Sequence, residues 1–281
     1  MSARPPSRSV RWGANALGLV VLLVSVFPVY WMVSRSFLPR NRIRSDGQTW
    51  FPWHGTFANY DRILSGDGFR TALVSSLSVT VLTVVIALFF AFLAAVAVSR
   101  FRFRGRTTFV LTLLVVQMIP AEGLFISQYK MLEGVDLLNS VVGLTFVYVA
   151  SVLPFTVWTL RGFVDGVPRE LEEAAMMDGC SRVQAFFTVT LPLLAPGLVA
   201  TGLFGFIQAW NEFTLALVVM TDPAKETLPV WLIGFSESRS RGVDWGAIMA
   251  ASTLITIPVI AFFLVVQRRM VTGLTAGAVK G

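Results

Sequence analysis

Glu122 and Glu212 each fall in or beside a long apolar run, where an ionisable side chain is costly to hold and is a functional candidate by default. Gln208, Trp210 and Asn211 stand next to Glu212. An indole offers a flat face to a sugar ring, and amide and carboxylate groups suit its hydroxyls. Glu122, Gln208, Trp210, Asn211 and Glu212 are therefore candidates for lining a substrate pathway. Two other readings of the carboxylates stay open here. They could be structural groups hydrogen-bonded between helices or snorkelling outward, or they could take a proton or sodium ion in an ion-coupled transporter.

Catalytic chemistry finds little material. Cys180 is the only cysteine and His54 the only histidine, so no intrachain disulfide can form and a zinc site of three or four Cys and His ligands cannot be assembled. The only lysines are Lys130, Lys225 and Lys280, and none follows glycine as a phosphate-binding loop requires. No catalytic residue, bound cofactor or metal site is expected, and any ATP-driven step would belong to a separate chain.

The elements that must position these residues are membrane spans. Of the 281 residues, 55% are hydrophobic and 14% charged, against about a quarter charged in soluble domains. The net charge of +7 comes from arginines beside apolar runs, the pattern of a membrane protein and not of nucleic-acid binding. Runs of about 20 apolar residues suffice to cross a bilayer. Six are expected, over residues 14–37, 72–98, 109–127, 138–160, 194–220 and 247–266, giving an all-α polytopic protein. The first is preceded by Arg4, Arg8 and Arg11, as a signal peptide would be, but its apolar stretch exceeds the usual length and has no small-residue cleavage site. It is expected to stay as an uncleaved helix. Pro120 interrupts the third run, and Pro154 lies in the fourth.

Arg100, Arg102, Arg104 and Arg106 crowd between the second and third runs, and Arg268 and Arg269 follow the last, so those ends and both termini are expected in the cytoplasm. The first external segment carries Arg40, Arg42, Arg44, Arg62 and Arg70, partly balanced by Asp46, Asp61 and Asp67. On this orientation Glu122 and Glu212 lie in the outer half of the bilayer, and the segment from Thr221 to Trp245 lies outside.

Residues 163–192, between the fourth and fifth runs, read as helix, turn, helix. Pro168 suits the first helical position. Glu170, Glu172 and Glu173 fall in the first turns, where the helix dipole favours anions. Gly179 can end the helix in a left-handed conformation. Ser181 and Gln184 form a capping box for a second short helix bearing Phe186 and Phe187, and Pro192 marks the start of the fifth span.

This segment resembles the cytoplasmic signature of bacterial ABC importer permeases: Glu-Ala-Ala, three residues, Gly, nine residues, then Ile or a similar residue, one residue, and Leu-Pro. The chain has Glu173-Ala174-Ala175, Gly179 and Val189-Thr190-Leu191-Pro192, with Val for Ile. Trp210-Asn211-Glu212 and the ending from Gly273 to Gly281 look like the carbohydrate branch, in particular the second permease subunit of the maltose-transporter type. The resemblance implies one transmembrane permease domain over residues 1–281 in a bacterial cell membrane. It implies that Glu173, Ala174, Ala175, Asp178 and Gly179 belong to a coupling helix docking on an ATPase, which the C-terminal tail also reaches. It further implies a sister permease subunit, two cytoplasmic ATPase subunits that hold ATP and magnesium, an external solute-binding protein and a sugar substrate. An ion-coupled secondary transporter using Glu122 or Glu212 is the alternative, but a coupling-helix signature has no purpose there and no internal repeat is evident.

Overall fold

The computed structural model describes residues 8–39, 51–53, 55–237 and 244–278. Arg4, Arg40, Arg42, Arg44, Asp46, His54 and Lys280 lie outside the described residues, as do the side chains of Arg8, Arg11, Arg268, Arg269 and the C-terminal tail. No strand occurs among the described residues. The helices are α1 (Arg8–Ser36), α2 (Ala58–Leu64), α3 (Asp67–Arg100), α4 (Arg106–Gln117), α5 (Phe125–Gly134), α6 (Val141–Asp165), α7 (Arg169–Met177), α8 (Arg182–Ala185), α9 (Leu191–Asn211), α10 (Thr214–Val219), α11 (Leu228–Glu237) and α12 (Trp245–Ala278).

Five continuous helical stretches are long and apolar enough to cross a membrane: Trp12–Ser36, Asp67–Arg100, Val141–Asp165, Arg182–Asn211 and Trp245–Gln267. They correspond to the expected first, second, fourth and sixth spans, with ends that differ by a few residues. The fourth begins at Val141 instead of residue 138, because Ser140 caps it by accepting the Gly143 N–H at 3.0 Å.

The third expected span is not a continuous helix. α4 ends at Gln117, a 3₁₀ turn covers Ala121–Leu124, and the helical path over Ala121–Gly134 leaves that of Arg106–Gln117 at 94°. Pro120 has no N–H to continue the helix and biases Ile119 away from helical geometry. A sixth crossing would have to be made by this bent pair. The fifth expected span also breaks early, at Glu212, whose backbone is extended (φ −67°, ψ 127°) before α10 restarts.

A further difference concerns the second short helix of the 163–192 segment. α8 does not stop. It runs through a π turn at Phe186–Thr190 into α9, making one helix from Arg182 to Asn211. Pro192 cannot donate to the carbonyl four residues back, and a wide turn absorbs that defect without ending the helix.

The chain divides into two compact units. In the first, Met1–Asp67 with Leu232–Ile257, Asn59 donates to the carbonyls of Ser36 (2.8 Å) and Leu38 (3.0 Å), holding the end of α1. Arg62 pairs with Asp244 at 2.7 Å, and Asp244 caps α12 by accepting the Ala247 N–H. None of the most apolar stretch of α1 is buried within the chain, whereas half of that of α6 is.

The second unit, Gly68–Trp231 with Pro258–Gly281, carries the candidate sites. Apolar lipid supplies no hydrophobic drive between helices, so small residues that permit close approach decide packing. Ala87, Ala91 and Ala95 recur every fourth residue on one face of α3, all buried, and α3 packs there with Val157, Leu160 and Val164 of α6 and Leu194 of α9. On α9, Gly197 lies so close to α6 that a Cβ would sit 2.5 Å from the Phe163 ring. A second core joins Val79, Leu132, Leu144, Tyr148, Leu215 and Val219 near the breaks at Pro120 and Glu212.

Candidate functional site

Two assemblies gather the candidate residues, one in the 163–192 segment and one around Glu212. In the first, Pro168 has extended geometry and stands just outside α7 as its N-cap, one place earlier than expected. The C-terminus is a Schellman motif. Gly179 adopts φ +95°, its N–H donates to the Met176 carbonyl (3.1 Å), and the Cys180 N–H donates to that of Ala175 (3.1 Å). The capping box also forms, with Gln184 N–H on Ser181 Oγ (3.3 Å) and Ser181 N–H on Gln184 Oε1 (2.8 Å).

Glu173, Ala174, Asp178 and Gly179 are exposed, and Ala175 is half-buried. Leu171 and Met177 are exposed on the same short helix, Met177 at 88%. Leu171, Ala174 and Met177 follow a three-residue spacing, so an apolar stripe points away from the protein. That spacing was readable from the sequence, although Leu171 and Met177 were not among the expected site residues.

What anchors α7 is Glu172. Its Oε1 accepts the buried Thr190 hydroxyl at 2.6 Å and pairs with Arg100 Nη2 at 3.3 Å. The same Arg100 nitrogen donates to the Val167 carbonyl (3.0 Å), and Arg169 donates to that of Ser99 (2.9 Å). The end of α3, the start of α7 and the π turn are thus tied through one carboxylate. Beside them lies a groove of about 310 Å³ whose walls include Glu173, Met176, Val183, Phe186 and Phe187.

The second assembly is a cavity of about 190 Å³ lined by Glu122, Phe125, Tyr148, Ser151, Gln208 and Glu212, among others. It brings together three of the five expected pathway residues. Both oxygens of Glu212 are engaged: Oε2 accepts the Tyr148 hydroxyl (2.6 Å) and the Ala216 N–H (3.0 Å), and Oε1 accepts the Leu215 N–H (2.7 Å). The carboxylate therefore caps α10 where the fifth span has broken, and Tyr148 of α6 holds it in place. Glu122 and Gln208 are exposed.

Trp210 and Asn211 are not on the cavity wall. Trp210 is buried and stacks on Phe206 (5.6 Å, 9° between planes), and Phe206 in turn stacks on Phe262 (4.2 Å). Asn211 is exposed and donates to the Ile207 carbonyl at 2.8 Å. At about 100° per residue, Trp210 projects to the far side of the helix from Gln208; Asn211 shares the face of Gln208 but folds back on the Ile207 carbonyl. Tyr148 and Ser151, which do line the cavity, come from α6 and carry no local signal linking them to Glu212. Away from the spans, partial burial and then the neighbouring Asp222 hold the Glu226 carboxyl above its usual range.

Among the described residues, no three His, Cys, Asp or Glu cluster as metal ligands. Apolar helices that outspan a bilayer, a broken span closing a small polar cavity and an anchored loop helix with an outward apolar stripe define a multi-pass transport subunit. Over residues 1–275 the chain matches the family described as "Binding-protein-dependent transport system inner membrane component", and it belongs to that family. It is 48% identical over 267 residues to the diacetylchitobiose uptake system permease protein DasC of Streptomyces coelicolor, covering 95% of this chain and 96% of that protein. It is 38% identical over 274 residues to the trehalose transport system permease protein SugB of Mycobacterium tuberculosis, covering 98% of each. Among solved structures, a chain of a bacterial ABC transporter involved in import of the acidic polysaccharide alginate superposes with a TM-score of 0.80 at 26% identity, covering 95% of this chain and 99% of that one.

Proposed function

We propose that the chain is one of two permease subunits of an ATP-driven importer for a sugar or oligosaccharide, acting as one permease domain over residues 1–281. The observation that carries this reading is the α7 loop. A nine-residue helix is marginal in water, yet this one is stopped by a Schellman glycine, tied down through Glu172, and turns Leu171, Ala174 and Met177 outward. Such a helix needs a partner to cover its stripe, and a cytoplasmic ATPase is that partner, with Glu173, Ala174, Ala175, Asp178 and Gly179 at the contact. Two ATPase subunits would bind ATP and magnesium, and this chain would bind no cofactor.

The relatives' sugar substrates support the substrate class. The cavity supports the sister subunit: about 190 Å³ is below the roughly 300–1,000 Å³ of sites that enclose a ligand, so a second wall is needed around an oligosaccharide. Glu122, Gln208 and Ser151 would offer hydrogen bonds to hydroxyls, while Glu212 shapes the wall. A Glu212 already holding three donors is a poor ion site, which disfavours ion-coupled transport. An external solute-binding protein would deliver the sugar, and both termini would face the cytoplasm.

The test is uptake of radiolabelled disaccharides by proteoliposomes carrying this chain with its sister permease, ATPase and binding protein. Uptake that needs ATP, is blocked by vanadate and survives an ionophore is expected. Uptake driven by an ion gradient without ATP would overturn the reading. For orientation, an impermeant thiol reagent on intact cells should label Ser236→Cys and leave Cys180 unlabelled, and the opposite pattern would invert it.

A further inference from the structure

Arginine and phenylalanine alternate over Arg100-Phe101-Arg102-Phe103-Arg104, followed by Gly105 and Arg106. The stretch joins the end of α3 to the start of α4. Residues 101–103 are non-helical, and Gly105 turns the chain with φ +89° while its carbonyl accepts the first bond of α4 from Phe109 (2.8 Å). Since α3 is a span and α4 begins the next apolar segment, these residues sit where the chain leaves the hydrocarbon.

The four guanidinium groups have divided roles. Arg100 turns inward to Glu172 and Val167. Arg102 and Arg104 are exposed and Arg106 half-exposed, and among the described residues none of the three pairs with an acidic side chain. Phe101 and Phe103 are 55% and 46% exposed, in a place where aromatic rings favour the bilayer interface. Orientation of the chain needs positive charge alone, and lysine would serve. Three unpaired arginines interleaved with exposed rings offer more: planar forks matched to phosphate oxygens, and apolar faces for the glycerol and upper acyl region. Each basic residue at the end of a span adds to the attraction for anionic headgroups.

We propose that Arg102, Arg104 and Arg106, with Phe101 and Phe103, form a binding site for the headgroup of an anionic phospholipid in the leaflet at which α3 ends. Arg100 belongs to the same run and ties down α7, so the occupied site lies beside the loop anchor. The lipid is bound through its phosphate and excess negative charge, and phosphatidylglycerol is the probe.

The test reconstitutes the assembled transporter with Phe103→Trp in this chain into bilayers containing brominated phosphatidylglycerol or brominated phosphatidylcholine at equal mole fraction. Quenching is read against the same complex without the substitution, because the chain has 8 native tryptophans. Each arginine contributes about fivefold to lipid occupancy when unscreened. Screening reduces this, so about tenfold preference for the anionic lipid is expected, falling as salt is raised. Replacing Arg102, Arg104 and Arg106 by Gln should bring the preference to about one. Inorganic phosphate at millimolar concentration should not displace the lipid. A preference near one in the parent complex would overturn the proposal, as would full displacement by inorganic phosphate, which would indicate a generic anion site. If the Gln variant fails to assemble, lipid retained by the parent complex through purification decides: no enrichment of phosphatidylglycerol over phosphatidylcholine by mass spectrometry also overturns it.

Discussion

Removing the Glu172 carboxylate should free α7 without disturbing the spans. In Glu172→Ala, Arg100 loses its ion partner and keeps the Val167 carbonyl, while the Thr190 hydroxyl loses an acceptor in a site that is fully buried. A hydrogen bond to a charged group is worth about 1.5–3 kcal/mol. Breaking a fully buried pair costs about 3–5 kcal/mol, and these side chains keep 11% and 14% exposure, so the lower figure, about 2 kcal/mol, is the better guide. That loss falls on a helix of nine residues with little stability of its own. Amide exchange over residues 169–180 should therefore accelerate about tenfold or more, with exchange in α3 and α6 unchanged. Glu172→Gln keeps an oxygen for Thr190 but not the charge and should fall between. ATPase association and sugar uptake should drop in the same order. Unchanged exchange over residues 169–180 in Glu172→Ala would refute the assignment of Glu172 as the anchor.

At Gly179 no atom lies within 4 Å of an added Cβ, so the cost of Gly179→Val is backbone strain at φ +95°, of order 1–2 kcal/mol; ATPase co-purification or coupled transport should fall, and Gly179→Asn should be milder. Tyr148→Phe removes the 2.6 Å donor to Glu212 and should lower thermal stability in detergent by about 1–2 kcal/mol, and an unchanged melting curve would count against the capping role. Glu122→Gln combined with Gln208→Ala should reduce sugar uptake about tenfold while the complex still assembles, since two hydrogen bonds to substrate would be lost or weakened. Normal uptake kinetics would remove the cavity from the pathway.

How much of this was legible in the sequence depended on the range of the interaction. Local signals were readable. The length of each apolar run announced the first, second, fourth and sixth spans, and the Gly179 stop and the Ser181–Gln184 box appear as expected because each involves neighbours a few residues apart. Pro120 was visible as an interruption, but the 94° bend it produces was not, because proline in a membrane helix can also leave a mild kink. The anchor was hidden for a different reason. Arg100, Glu172 and Thr190 are 72 and 18 residues apart, and Arg100 reads locally as one more charge at a span end. Trp210 illustrates the limit of proximity: it is two residues from Glu212, yet packing against Phe206 turns it off the cavity.

The π turn at Phe186–Thr190 has a consequence for the loop's clocking. A π turn holds about one residue more than the α-turn it replaces, and one residue corresponds to about 100° of helical phase. The direction in which Ser181 enters its helix relative to the fifth span is thus set by a count of residues, not by any side chain. Deleting a single residue between 186 and 190 would let that turn relax to ordinary pitch. Everything N-terminal to it would rotate by about a quarter turn, with each residue of α7 and each residue of the span still present but no longer in step.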